Sequence, residues 1–152
     1  MVFNGLRRRC VSFCHNSYTV TDGSQFHTLL PDVHRNLSDV GDIHPMMPNK
    51  LGEPFSGAVL NINVASLLHR DGKDEDGCIL LPMGPFGGGE LGLLEARLVL
   101  ELRHADWIFF LSGWMTHFNL AYEGIRFSFV LHSDQSGVGF MKDGNGWDAA
   151  IH

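Results

Sequence analysis

Residues 69–71 read His-Arg-Asp, and residues 117–128 read HFNLAYEGIRFS. Side chains of an extended chain alternate between two faces, so His69 and Asp71 would point one way and Arg70 the other. An imidazole and a carboxylate so placed are two of the three ligands of a 2-His-1-carboxylate triad, which leaves adjacent positions open on Fe(II). The third ligand has to come from elsewhere, and His117 closes a later apolar run. An ion held this way has room for a bidentate ligand and for dioxygen. Alone, H-x-D is a short pattern that surface loops also carry.

The second stretch brings a cation. In IRFSFVLH (125–132) the odd positions Ile125, Phe127, Phe129 and Leu131 make a wholly apolar face, and Arg126, Ser128, Val130 and His132 make the other. If that other face looks into a barrel, the guanidinium needs an anion, because an isolated buried charge costs many kcal/mol. Arginine suits a carboxylate, which it holds by two parallel bonds, and Ser128 adds a hydroxyl beside it. If the face is exposed, Arg126 is an ordinary solvated charge. His132 is either a residue lining the same site or a hydrogen-bonded structural histidine.

These residues have to be positioned by something. Between residues 57 and 133 the chain is a series of short apolar runs: 58–68, 78–83, 89–94, 97–103, 106–112, 114–118 and 125–133. Turn signals separate them, namely DGKDEDG (71–77), GPFGGG (84–89), HAD (104–106) and AYEG (121–124). The gaps are too short for crossover helices, which points to a sandwich, barrel or jelly roll. GPFGGG lacks the spacing of a phosphate loop and reads as a turn before a strand. Residues 1–55 are weakly patterned, with one short helix expected over 31–37, Pro31 at its first position, and a loop over 38–54. The expected organisation is a support segment over 1–56, a core over 57–140 and an irregular tail over 141–152, as one domain.

Composition narrows the classes. A chain of 152 residues with 44% hydrophobic and 18% charged residues is an ordinary globular domain. Its formal net charge of −6 does not suggest a general affinity for phosphate backbones, although Arg7, Arg8 and Arg9 are consecutive. No stretch approaches the roughly 20 apolar residues of a membrane span. Charged residues near the N-terminus are not followed by an apolar run, so no secretory signal is expected there. Three cysteines, an odd number, point away from a disulfide framework and toward a reducing intracellular setting. Cys10, Cys14 and His15 have no second pair of zinc-type ligands and read as small residues near a packed terminus.

Taken together, H-x-D, a downstream His, then Arg and x-Ser nine to eleven residues later resemble the iron- and 2-oxoglutarate-dependent dioxygenases. HRDGKDEDGCILLPMGPFGGGELGLLEARLVLEL, with the THFN and GIRFSFVL segments, is similar to small fungal members related to the ten-eleven-translocation/J-binding-protein (TET/JBP-like) group. The resemblance covers about residues 57–140, and GGEL (88–91) and the His-Arg-Asp form are its more specific parts. It implies a mainly β, double-stranded β-helix (jelly-roll, cupin-like) fold with a short, partly helical N-terminal segment. It implies Fe(II) held by His69, Asp71 and His117, with Arg126 binding the distal carboxylate of 2-oxoglutarate, assisted by Ser128. Asn61 and Asn63 share a face on the strand before the motif, and Asn63 is the expected polar contact to cosubstrate or substrate. Trp107, Trp114 and Phe118 read as core.

The implied reaction is oxidation of a C–H bond with release of succinate and CO2. The implied substrate is the methyl group of a modified nucleobase in nucleic acid, with no membrane partner. The rival reading is a non-catalytic jelly-roll module for a metal or ligand, retaining a vestigial iron site. One departure stands out: related chains often carry Pro-Gly-Asp where this one has His104-Ala105-Asp106, which removes a residue suited to positive φ.

Overall fold

The computed structural model describes residues 11–14, 24–42 and 52–136. The Arg7–Arg9 run, Cys10 and His15 lie outside them. The described chain is mainly β, a jelly roll of antiparallel sheets with a short helical part ahead of it. Two helices, α1 (Ser24–Leu29) and α2 (Pro31–Asp42), precede the strands β2 (Gly57–Ile62), β3 (Asp74–Met83) and β4 (Phe86–Gly88). Then come β5 (Leu91–Leu93), β6 (Leu98–Leu100), β7 (Trp107–Phe110), β8 (His117–Asn119), β9 (Tyr122–Gly124) and β10 (Phe127–Asp134), with β1 (Val11–Cys14) at the start. The large sheet has the order β1-β7-β3-β10-β2, and two smaller sheets are built from β6-β5-β8 and β4-β9.

Alternation explains why the large sheet is covered on both faces. Trp107, Phe109, Ile79 and Leu131 point outward and meet Phe26, Leu30 and Leu37 of the helical part. Ile108, Phe110, Cys78 and Leu80, one residue out of phase on the same strands, point inward and pack on Leu91 and Leu93 of β5. The runs WIFF and CILL therefore have no polar face to offer, as buried strands require. Ser128 and His132 of β10 fall on the inward phase, away from the helices.

Four expectations need correction. The helix begun by Pro31 continues to Asp42, through residues whose composition reads as loop, and α1 was not anticipated. Packing of Phe26, Leu30, Val33 and Leu37 on the sheet overrides the weak helix propensity of this stretch. GPFGGG and AYEG are not simple turns, since Phe86–Gly88 and Tyr122–Gly124 pair as β4 and β9. The long run 58–68 is a strand only to Ile62, where Asn63 turns the chain at φ 52°. Trp114 is 72% exposed rather than core, whereas Trp107 is buried as expected.

The departure at 104–106 has a structural cost. Ala105 sits at φ 68°, in the left-handed region, with its N–H bonded to the Pro82 carbonyl at 2.9 Å. Asp106 closes the turn by accepting the Arg103 N–H at 2.8 Å, and His104 Nδ1 accepts the Gly84 N–H at 2.9 Å. A Cβ is disfavoured in this conformation and glycine is not. Ala105→Gly is expected to stabilise the protein by about 0.5–1 kcal/mol, seen as a rise of about 1–4 °C in a thermal melt.

Candidate metal centre

His69 and His117 come from distant parts of the chain but oppose each other as an antiparallel bridge. Each donates its backbone N–H to the other's carbonyl, at 3.1 and 2.9 Å. Both imidazoles leave this pair on the same side, with ring centroids 4.1 Å apart. Asp71, two residues beyond His69, reaches the same place. Its backbone is fixed by a bond to the Ser112 carbonyl at 3.1 Å and by the Asp74 N–H at 2.8 Å. His117 Nε2 lies 3.4 Å from Asp71 Oδ2, and His69 Nε2 lies 3.7 Å from Asp71 Oδ1. One ligand atom from each residue falls within 4.8 Å of the others.

The outer nitrogens are already committed. His69 Nδ1 lies 2.6 Å from the Leu67 carbonyl, and His117 Nδ1 lies 2.9 Å from that of Met115. A carbonyl only accepts, so each Nδ1 carries the proton, and in the neutral ring Nε2 keeps a lone pair. Both lone pairs and the carboxylate face one volume. This is the arrangement in which a second bond fixes the tautomer and orientation of a metal-binding histidine. Ligands bound at about 2.1 Å and at right angles stand about 3 Å apart, so the two His–Asp separations need a contraction of under ~1 Å.

The protons respond to the same geometry. The hydrogen bond from His117, working against partial burial, holds the Asp71 carboxyl below its usual range. Burial of His117 favours the neutral ring, but the bonds to Asp71 and to the Met115 carbonyl outweigh it, so its pKa is raised above 6.5. In the metal-free protein the His117 contribution is complete below pH 6.5 and is lost as pH rises through the raised value. The Asp71 contribution is present above 3.8 and is lost as pH falls through the lowered value. A metal ion must displace the His117 proton. Thermal melts from pH 5.5 to pH 8.5 are therefore expected to show metal-induced stabilisation growing with pH. A gap between metal-loaded and metal-free melting temperatures that is flat in pH would contradict this.

The three residues open onto a cavity of 590 Å³ that also takes in Asn119, Ser128 and His132. Arg126 lies behind Ser128, one residue ahead of β10. It is 1% exposed. Its Nη1 is 3.3 Å from Ser128 Oγ, while Nε and Nη2 have no hydrogen-bond partner. The rings of Phe86 and Tyr122, on the paired strands β4 and β9, lie 5.5 and 5.8 Å from its Cζ. Burial lowers its pKa. No carboxylate among the described residues pairs with it. Gly89, at φ 75°, brings the backbone so close that a Cβ there would lie 3.4 Å from Arg126 Nε. The enclosure of Arg126 therefore depends on the glycine-rich stretch that composition alone presents as a turn.

Asn63 does not line the cavity. Its Oδ1 accepts the Arg126 backbone N–H at 2.9 Å, and its own N–H bonds the Arg126 carbonyl at 2.8 Å. The left-handed turn at Asn63 swings its amide away, and Asn61, two residues earlier on β2, lines the cavity instead. His132 does line it, with Nδ1 3.2 Å from Asp74 Oδ1 but not aligned for a hydrogen bond. Asp74 is buried, which raises its pKa, and its other oxygen accepts the Ser112 hydroxyl at 2.5 Å. Sequence reasoning missed Asn119 and Asp74 as cavity residues. Alternation from His117 would have found the first. The second needed the sheet register, which places β3 beside β10.

No family model matches the chain, and no curated protein is similar to it in sequence. In three dimensions it is similar to the solved structure of NgTET1 in complex with 5mC DNA, with a TM-score of 0.64 and 16% sequence identity. The match covers 74% of this chain and 46% of that one, so the chain spans less than half the length of that protein. Identity this low speaks to the jelly-roll fold. No helix among the described residues is long and apolar enough to cross a membrane.

Proposed function

We propose that the protein is an Fe(II)- and 2-oxoglutarate-dependent dioxygenase that oxidises a C–H bond. The observation that carries this reading is the conjunction of two incomplete charge systems, one lining the cavity and the other buried behind Ser128, which lines it. On one side two Nε2 lone pairs and a carboxylate face a common point. On the other side a buried guanidinium has two polar atoms without partners. The donor set, two imidazoles and one carboxylate, suits a non-haem ferrous ion. In the proposed complex a dicarboxylate has one end beside the metal ligands and the other neutralising Arg126.

Bound iron with a keto acid supplies oxidation coupled to decarboxylation, with succinate and CO2 released. The protein supplies the rest. His69, Asp71 and His117 would hold the ion on one side only. Arg126 and Ser128 would fix the distal carboxylate, and Phe86 and Tyr122 would keep water from the guanidinium. Asn61, Asn119 and His132 offer polar contacts to a substrate. We extend the proposal to the methyl group of a modified nucleobase, because the similar fold of NgTET1 was solved with 5mC DNA. Such a base has to leave its stack to reach the metal ligands.

The experiment is anaerobic addition of Fe(II) and 2-oxoglutarate, followed by visible absorption and then by succinate release on admitting air. Methylated DNA, methylated RNA and peptides are offered in parallel. A visible charge-transfer band with substrate-stimulated succinate supports the reading. A colourless mixture with no succinate rejects it.

A further inference from the structure

Arg70 and Thr116 are the immediate neighbours of the candidate metal ligands; Arg70 borders the cavity, but its guanidinium is bonded to Thr116 and Glu95. Both meet Glu95, from the turn that joins β5 to β6. Glu95 Oε2 accepts the Thr116 backbone N–H at 2.6 Å, and Oε1 accepts the Thr116 hydroxyl at 2.7 Å. Oε1 also accepts Arg70 Nη2 at 2.5 Å, while Arg70 Nε donates to Thr116 Oγ1 at 2.9 Å. The Thr116 hydroxyl accepts from Arg70 while donating to Glu95. The Leu94 N–H to the Thr116 carbonyl, at 2.9 Å, continues the β5–β8 ladder up to it.

We propose that Glu95, acting through Arg70 and Thr116, is a positioning group that sets the separation of the His69–Asp71 arm from His117. This inference rests on the metal-site reading above. The clamp joins the two ligand-bearing segments at the residues flanking the three ligands, and its Glu95 and Thr116 members lie outside the cavity lining. Partial desolvation opposes ionisation of Glu95, but the bonds from Thr116 and Arg70 prevail and bring its carboxyl down to about 2. The clamp therefore stays charged wherever a metal could bind. Arg70 and Glu95 are half-exposed, and exposed ion pairs add little to global stability. The main effect of the triangle falls on the geometry of what it flanks.

The test is Co(II) binding to the full chain, followed by titration and by the visible ligand-field spectrum, beside the melting temperature of metal-free protein. Glu95→Ala and Arg70→Ala are each expected to weaken Co(II) binding about ten-fold and to alter the band shape. The double variant is expected to be no worse than either single one, because the two residues act as a unit. Thr116→Val should behave like them, and Thr116→Ser, which keeps the hydroxyl, should bind as the parent does. Leu37→Val, in the core between helix and sheet, serves as a control that lowers the melting temperature without changing affinity. Parent-like affinity and spectrum in Glu95→Ala and Thr116→Val overturn the positioning role while leaving the metal site intact. A parent chain that binds no Co(II) overturns both readings.

Discussion

A His117→Ala chain is expected to bind Fe(II) or Co(II) at least ~100-fold more weakly than the parent, a loss at or beyond the top of the range seen for groups that only support a ligand. The charge-transfer band with 2-oxoglutarate should vanish with it. His117 is the buried member of the triad and its Nδ1 is held by the Met115 carbonyl, which fixes its Nε2 toward the site. The change also removes an edge-on contact with Phe110, whose ring centroid is 4.9 Å away, and leaves Asp71 without its nearest partner. Together these should cost about 1–3 kcal/mol of metal-free stability, short of unfolding a typical domain. Isothermal titration and a thermal melt on the same sample separate the two effects. A folded variant with parent-like affinity would remove His117 from the site.

Arg126→Met should give opposite signs for stability and for cosubstrate binding. The guanidinium is buried with two unsatisfied nitrogens and, among the described residues, no pairing carboxylate, a state that costs energy until an anion arrives. Methionine fills a similar volume without charge, and such replacements are often neutral or stabilising, by up to about 1–4 kcal/mol. The melting temperature of the cosubstrate-free variant is therefore expected to equal or exceed that of the parent. Binding of 2-oxoglutarate should weaken by about 2–3 kcal/mol, roughly 30- to 150-fold, because the charge-assisted bonds to its far carboxylate are gone. Melting with and without 2-oxoglutarate measures both. Parent-like stabilisation of the variant by the keto acid would show that the anion binds elsewhere.

Several residues lining the cavity were legible because strand alternation is simple. His69 with Asp71, and Ser128 with Val130 and His132, reach the cavity by counting in twos along an extended chain. The jelly roll was legible for a related reason, since short apolar runs with tight turns leave little room for another topology. What escaped was everything set by pairing between distant segments. β4 and β9 carry glycines and a charge, so their local signal is that of a turn, and only their mutual pairing over Arg126 makes them strands. Asn63 was misplaced because counting in twos fails where the strand ends, and nothing in Asn-Ile-Asn announces that end. The extension of α2 to Asp42 likewise depends on a sheet face that the helix sequence does not contain.

The bridge between His69 and His117 makes the site unequally vulnerable to different kinds of genetic change. Their spacing comes from the sheet itself, because residues that exchange both backbone bonds sit about 5.5 Å apart whatever their side chains. Substitutions around them can therefore drift while the two rings stay in register. Inserting or deleting one codon between the Ser66 carbonyl and Asp71, or between Met115 and the Asn119 N–H that bonds that carbonyl, would rotate one imidazole to the outer surface. Length in these two short segments, more than residue identity around them, is what inheritance must preserve.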